Sequence, residues 1–476
     1  MKSLFILIVM YCLTCTQNVV AQNNERNRVI ILSDIEADPD DTQSFVRLLL
    51  YSNQIDIEGM IATTSCWHRN SVEPQSIENI IQAYGKVRIN LEKHEADFPN
   101  ETELLSLVKS GLPKYGMLGV GKGKDSEGSD WIIKILEEDD ERPLWISVWG
   151  GVNTLAQSLY KIKETKSLAV AKKMISKLRV YTISDQDDSG IWIRNNFPEL
   201  FYIVSPGDHY ATATWSGINT FFKGINNEVI SNKWIAENLQ QNHGALGVAY
   251  PDTAWGVEGD TPAFLSLIPN GLNNPEHPEY GGWGGRYELY KPDFSKTTKG
   301  GSIVELAPET REIWTNAVDS YTPYIYNQYG RAVKKDTVTF NDYKITLARW
   351  REDFQNDFRA RMDWCVSSYE DANHAPLIEL KNSNYITVKS GEGFGVDASE
   401  STDPDGDSIS FLWFQYPEAG TYEEEIKFQP ENAHAIYITA PKVERKETLH
   451  FILKVTDKGT PALTSYKRII VTVLPK

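Results

Sequence analysis

"VIILSDIEADPDDTQSF", Val29 to Phe45, decides the fold. An apolar run, Val29 to Leu32, reads as a buried strand, and a helix is expected from Thr42 onward. Between them five carboxylates, Asp34, Glu36, Asp38, Asp40 and Asp41, fall within eight positions. Two unit charges about 4 Å apart repel by roughly 1 kcal/mol in water and about 4 kcal/mol at the effective dielectric of a protein surface, so such crowding calls for a positive partner. Asp40 or Asp41 at the start of the helix is explained by capping and by the helix dipole. That leaves the other carboxylates without a reason. A hard cation such as Ca²⁺, which takes six to eight oxygen ligands, supplies one; an acidic surface loop without metal is the plainer alternative.

Outward from this stretch, strand-like runs alternate with helical patterns. The strands are Val29 to Leu32, Asp56 to Ala62, Leu144 to Val148 and Leu178 to Ile183. The helices between them are Thr42 to Tyr51, Ser76 to Tyr84, Trp131 to Leu136 and Asn153 to Ile162. This alternation predicts an α/β unit with an open parallel sheet covered by helices, in which ligands gather at the carboxyl ends of the strands. "ITLARWREDFQNDFRARMDW", from Ile345, predicts a closing helix, and 366–376 a linker. Beyond it, "NYITVKS", "ISFLWFQY", "AIYITAP", "LHFILKVTD" and "KRIIVTVLP" predict a small all-β sandwich over 377–476. The α/β unit is placed at 27–365.

The first 21 residues read as a secretory signal: Lys2, an apolar stretch from Leu4 to Leu13, and "VVA" ending at Ala21. Secretion or a periplasmic location is therefore expected, and a lipid on Cys15 would add outer-membrane association. The stretch is too short to span a bilayer, and no later one does. Only Cys66 and Cys365 then remain, a pair compatible with one disulfide and with no zinc site. A net charge of −17 without a basic stripe argues against nucleic acid as a partner and leaves neutral carbohydrate acceptable. No G-x-S-x-G elbow, P-loop or H-E-x-x-H occurs. "NNPEHPEYGGWGGRYELY" surrounds Tyr280, Trp283 and Tyr287 with glycines, which suits either an exposed loop offering Trp283 to sugars or packing on the sheet. "VDASESTDPDGDSISFLWF" resembles PKD and cadherin-like immunoglobulin-fold modules; Asp403, Asp405 and Asp407 there fit either calcium or a tight turn.

"DIEADPDD", Asp34 to Asp41, resembles the "DTDPGxDD" fingerprint of inosine-uridine nucleoside hydrolases, calcium-dependent enzymes that hydrolyse N-ribosides. Together with "ISDQDDSGIWIRNNFPELFYI" and "WGVEGDTPAFLSLIPNGLNNPEHPEYGGWGGRYE", the chain is more closely similar to secreted nucleoside-hydrolase-like proteins described as cellulose-binding, in which a β-sandwich follows. The resemblance implies calcium ligands at Asp41, at Asp260 and at the main-chain carbonyl of Asn153, with Asp40 gripping sugar hydroxyls. The remaining ligand and base is Glu36 in a gapless alignment and Asp34 in a gapped one. Gly259 stands where those enzymes place a histidine that helps the base leave, and Trp67 where they place a sugar-contacting asparagine, so a nucleoside is not the expected substrate. Asp185, Asp187 and Asp188 in "SDQDDSG", with Glu258, are candidate proton donors or substrate contacts; Asp188 is the expected acid, Asp187 and Glu258 the expected contacts. Two functions follow as expectations: a calcium-dependent hydrolase of furanosyl or vicinal-diol glycosides from polysaccharide, or a non-catalytic polysaccharide-binding protein on the same fold. The relatives' habit of pairing makes a homodimer one candidate assembly.

Overall fold

In the computed structural model, residues 26–205, 212–293, 304, 307–328 and 330–476 are described. The signal and Cys15 lie outside them.

Strand β1 (Asn27–Ser33) runs through the middle of the molecule, buried from Arg28 onward. Alternate side chains of a strand point to opposite faces. Val29 and Ile31 therefore enter one apolar core and Ile30 and Leu32 another. Such burial on both sides is the condition of an inner parallel strand, which explains an apolar run without alternation. β1 pairs in parallel with β2 (Ile55–Ala62) on one side and with β4 (Leu144–Val148) on the other. The eight-stranded sheet has the order β3-β2-β1-β4-β5-β6-β8-β7, with β3 Val108–Ser110, β5 Leu178–Thr182, β6 Phe201–Val204, β7 Tyr287–Tyr290 and β8 Ile313–Asn316. Only β7, at the edge, runs antiparallel to its neighbour. Strand order reverses between β1 and β4, and open sheets of this kind form a crevice at the carboxyl ends flanking that reversal.

The expected α/β class with a following β unit stands. Four short strands, β9 (Asp319–Tyr321), β10 (Tyr324–Tyr326), β11 (Ala332–Lys335) and β12 (Phe340–Asp342), precede the closing helix, which is broken into Ile345–Ala348 and Arg351–Trp364. The C-terminal unit packs β13 (Tyr385–Lys389), β18 (Thr464–Leu474), β17 (Glu447–Thr456) and β15 (Ser410–Gln415) as one sheet, with β14 (Gly393–Asp397) paired to β16 (Ala435–Thr439). Trp413, Phe451, Ile436 and Val471 share the core of this unit.

The two units share one apolar core, the one that Val29 and Ile31 enter. Trp350 lies 5.7–6.1 Å, ring to ring, from Phe414, Tyr416 and Tyr466 of the β unit. The Lys454 ammonium meets the Asp353 carboxylate at 2.7 Å, and Arg468 donates to the carbonyls of Leu272 and Gly281. The stretch 366–376 lies against both units: the His374 ring stacks on Tyr369 and Trp364, and its main-chain nitrogen donates to Asp405. No disulfide joins Cys66 to Cys365, whose thiol donates to the Arg361 carbonyl.

Candidate functional site

The acidic loop leaves β1 at the crevice. The Ser33 hydroxyl accepts from the Ile35 N–H at 3.1 Å and donates to the Asp41 carboxylate, tying the strand end to the first turn of helix Asp40–Leu50. The Ala37 N–H donates to the Asp34 carbonyl across a tight turn in which Glu36 has φ +80°, a left-handed conformation rare without glycine. Asp38 accepts from the Asp40 N–H, satisfying one of the helix's unpaired donors.

From this loop Asp40 and Asp41 meet Asp260, which arrives just before the short helix Pro262–Leu265. One carboxylate oxygen of each lies within 4.8 Å of the other two. Asp41 and Asp260 are each 2% exposed, and Asp260 Oδ2 is buried with no hydrogen-bond partner. Burial, reinforced by the mutual repulsion of the carboxylates, holds all three well above the ordinary carboxylate range. A buried acceptor without a donor is costly. Clustered hard oxygens with one orphaned acceptor are a donor set that fits Ca²⁺.

Asp34 and Glu36 part here. Asp34 is buried beside the trio, pushed up to about 7 by desolvation, with a Ser65 hydrogen bond acting against the shift. Glu36 is exposed and accepts a 2.5 Å hydrogen bond from Ser76 on helix Pro74–Leu91. The structure thus brings Asp34, not Glu36, to the crevice. The Gly150–Gly151 pair after β4 makes room for it. A Cβ on Gly150 would lie 2.5 Å from Asp34 Oδ1, and one on Gly151 would lie 2.4 Å from Asp187 Oδ2.

Asp187 is buried, accepts from the Ser189 N–H and hydroxyl and from the Asn153 N–H, and is raised by burial to about 7. It clamps the starts of helices Ser189–Asn196 and Asn153–Thr165 to each other. The Asn153 side chain faces Thr63, Thr64 and the Lys114 carbonyl, locking three strand-end loops together. Asp188 is exposed, and one of its oxygens accepts from the Met117 N–H at 2.8 Å.

Two of the candidate carboxylates are engaged by the protein itself. Both oxygens of Asp185 accept from Arg194, whose Nε donates to Glu309, all three side chains fully buried. Glu258, expected at the substrate, is fully buried: Arg47 pairs with it at 2.7 Å, Tyr250 donates to Oε1 and Thr261 to Oε2. A carboxylate desolvated this completely must spend its lone pairs on donors to stay folded, so Glu258 is a brace. Through Arg47 and the Ser44–Thr261 bond it holds the Asp260 loop against helix Asp40–Leu50.

Trp283, expected to face sugar, is 2% exposed and packs edge-on to Phe354 and Tyr466. Tyr287 is equally buried. The surrounding glycines serve close packing: a Cβ on Gly281, at φ +70°, would meet the Tyr416 hydroxyl at 2.5 Å. Trp67 is 53% exposed, two residues beyond Ser65. Trp255, which sequence reasoning passed over, is 97% exposed at φ +61° in the loop leading to Asp260. Its aromatic ring in "DTAWGVEGD" was the signal available. The Gly259 departure also has a physical reason: a Cβ there would lie 2.7 Å from Asp40 Oδ2 and 3.2 Å from the Trp215 ring.

Residues 28–287 match the model of the "Cellulose-binding Sde182, nucleoside hydrolase-like domain", and residues 393–473 that of the "Cellulose-binding protein Sde0182, C-terminal domain". The chain is 34% identical to a nucleoside hydrolase-related hypothetical protein from Saccharophagus degradans, described as associated with carbohydrate metabolism. That likeness covers 94% of this chain and 100% of that one, with a TM-score of 0.78. A PKD domain from the KIAA 1837 protein is 19% identical over 22% of this chain and 95% of its own, at a TM-score of 0.17. No protein of curated function matches.

Proposed function

Because the chain belongs to the cellulose-binding Sde182 family with a nucleoside-hydrolase-like domain, we propose that it is an exported, calcium-dependent hydrolase of glycosyl bonds in sugars that carry a vicinal diol. The observation that carries this reading is the Asp40–Asp41–Asp260 trio, with its orphaned buried oxygen, beside the buried Asp34.

Asp41 and Asp260, with Asp34 and the Asn153 main-chain carbonyl, are the residues that would hold calcium; when bound, it would supply electrostatic binding of sugar hydroxyls and a more acidic water. Asp34, buried at the crevice beside the trio, accepts the proton of the attacking water. Asp40 accepts hydrogen bonds from the sugar hydroxyls and orients the ring. Asp188, exposed at the crevice end of β5, gives a proton to the departing oxygen, while Asp187 fixes the loop that carries it. Attack on the face opposite the leaving group inverts the anomeric centre. The exposed Trp67 and Trp255 offer apolar faces to neighbouring sugar rings.

The family's cellulose-binding description favours a second reading in which the same fold only binds polymer. Release of free sugar from furanosides, nucleosides and plant oligosaccharides, measured with calcium and then with a chelator, separates the two. Calcium-dependent release supports the hydrolase; polymer retention without release supports the binder.

A further inference from the structure

At the seam between the two units, away from the acidic crevice and sharing no residue with it, lies an open cleft of about 650 Å³. Strands β9 and β10 and the loop before β12 form one wall, and the end of β15 with the segment after it forms the other. Its apolar lining includes four rings, Tyr321, Tyr324, Phe414 and Phe428, among shorter side chains such as Val318 and Ile426. Arg349 lies 4.4 Å from the centroid of Tyr321 and 5.7 Å from that of Phe414, leaving Tyr324 outside its ring contacts.

The charges decide what the cleft accepts. Its three basic side chains are each matched: Arg286 with Glu288 and Asp319, Arg349 with Asp319, and Lys335 with Glu425. Glu418, Glu423 and Glu431 then leave an excess of negative charge on the walls. Glu418 accepts from the Ser320 N–H through Oε1, while Oε2 is buried with no hydrogen-bond partner. A carboxylate offers acceptors only. The ligand that suits this lining donates hydrogen bonds, presents a flat apolar face and carries no negative charge.

We propose that this cleft binds a stretch of a neutral, hydroxyl-rich polysaccharide, its sugar faces on Tyr321 and Tyr324 and its hydroxyls donating to Glu418 and Glu431. The volume falls within the range of sites that enclose a small-molecule-sized ligand, here a few sugar rings of a longer chain held in an open groove. An anionic polymer is repelled by the same carboxylates. Both units contribute a wall, so the groove exists only in the full chain, which gives the β unit a role in polymer retention.

The test uses the full-length protein, depleted from solution by amorphous cellulose and retarded by a soluble neutral β-glucan in native gels, with and without chelator. A carboxymethylated polymer serves as the charged control. Wild type should be retained by the neutral polymers in chelator and at least tenfold less by the anionic one. Tyr324→Ala should weaken retention at least tenfold. Thr339→Trp, which blocks the cleft from an exposed rim position, should do the same with an unchanged melting temperature. Retention of either variant at the wild-type level, retention abolished by chelator, or no retention of wild type would each overturn the proposal. Failure of sugar release, by contrast, bears on the acidic crevice alone.

Discussion

Asp34 and Glu36, two positions apart, send their carboxylates to opposite environments: Asp34 is buried in the crevice, and Glu36 is exposed and held by Ser76. The left-handed backbone at Glu36 produces the divergence. Asp34→Asn should therefore lower sugar release by about 10²–10⁴-fold, the range expected for loss of a general base. Glu36→Gln should stay within a few-fold of wild type. Equal losses from the two, in turnover measured on one glycoside, would discard the assignment.

Calcium should raise the melting temperature of the chelator-stripped protein. Saturation at a hundred times Kd corresponds to about 2.7 kcal/mol. Asp260→Asn should cancel most of this gain, because its orphaned oxygen is the acceptor best explained by the cation. A full calcium response in that variant, followed by scanning calorimetry, would place the ion elsewhere.

Asp188→Asn should reduce turnover of glycosides with poor leaving groups at least tenfold more than that of activated aryl glycosides, which depart without protonation. If both substrate types lose activity equally, Asp188 is only the latch of the Met117 loop.

Trp283 and Trp67 should separate stability from binding. Trp283→Ala removes a buried ring from the shared core and should cost about 3–5 kcal/mol in denaturant unfolding. Trp67→Ala, at an exposed site, should leave stability within about 0.5 kcal/mol. It should raise KM for oligosaccharides about tenfold, a loss of about 1.4 kcal/mol; an unaltered KM would remove Trp67 from the substrate.

The seam between the units should weaken in acid. His450 is lowered to about 3, first by burial and then by Arg468 and His277; Tyr280 meets it edge-on. The unfolded chain, with histidine near 6.5, then binds a proton that the folded chain refuses. Its contribution is complete above about pH 6.5 and falls as pH drops toward 3, by at most about 1.4 kcal/mol per pH unit. His450→Gln should flatten that part of a stability-against-pH curve.

Much of this was legible because hydrophobic period and turn chemistry are local. β4 was expected at its observed limits, and β1 and β5 within a few residues. The crowded carboxylates marked the crevice. What stayed hidden depended on distant partners. Nothing near Glu258 reveals that Arg47, 211 positions earlier, consumes its charge. The glycines around Trp283 signal an exposed loop equally well until Tyr416 and Tyr466 arrive from the other unit to bury it. The choice between Asp34 and Glu36 rested on one backbone dihedral, which residue types alone leave undetermined.

Trp350 has a further consequence for how this protein is made and inherited. Its ring lies among side chains supplied by sequence more than sixty residues downstream. A nascent chain halted at the end of helix Arg351–Trp364 lacks the Phe414, Tyr416 and Tyr466 rings that cover that indole, so the N-terminal part should complete its core only once the β unit has been made. Truncated forms should collect in inclusion bodies. Recombination that exchanges the β unit for another module should be purged unless Phe414, Tyr416 and Tyr466 travel with it.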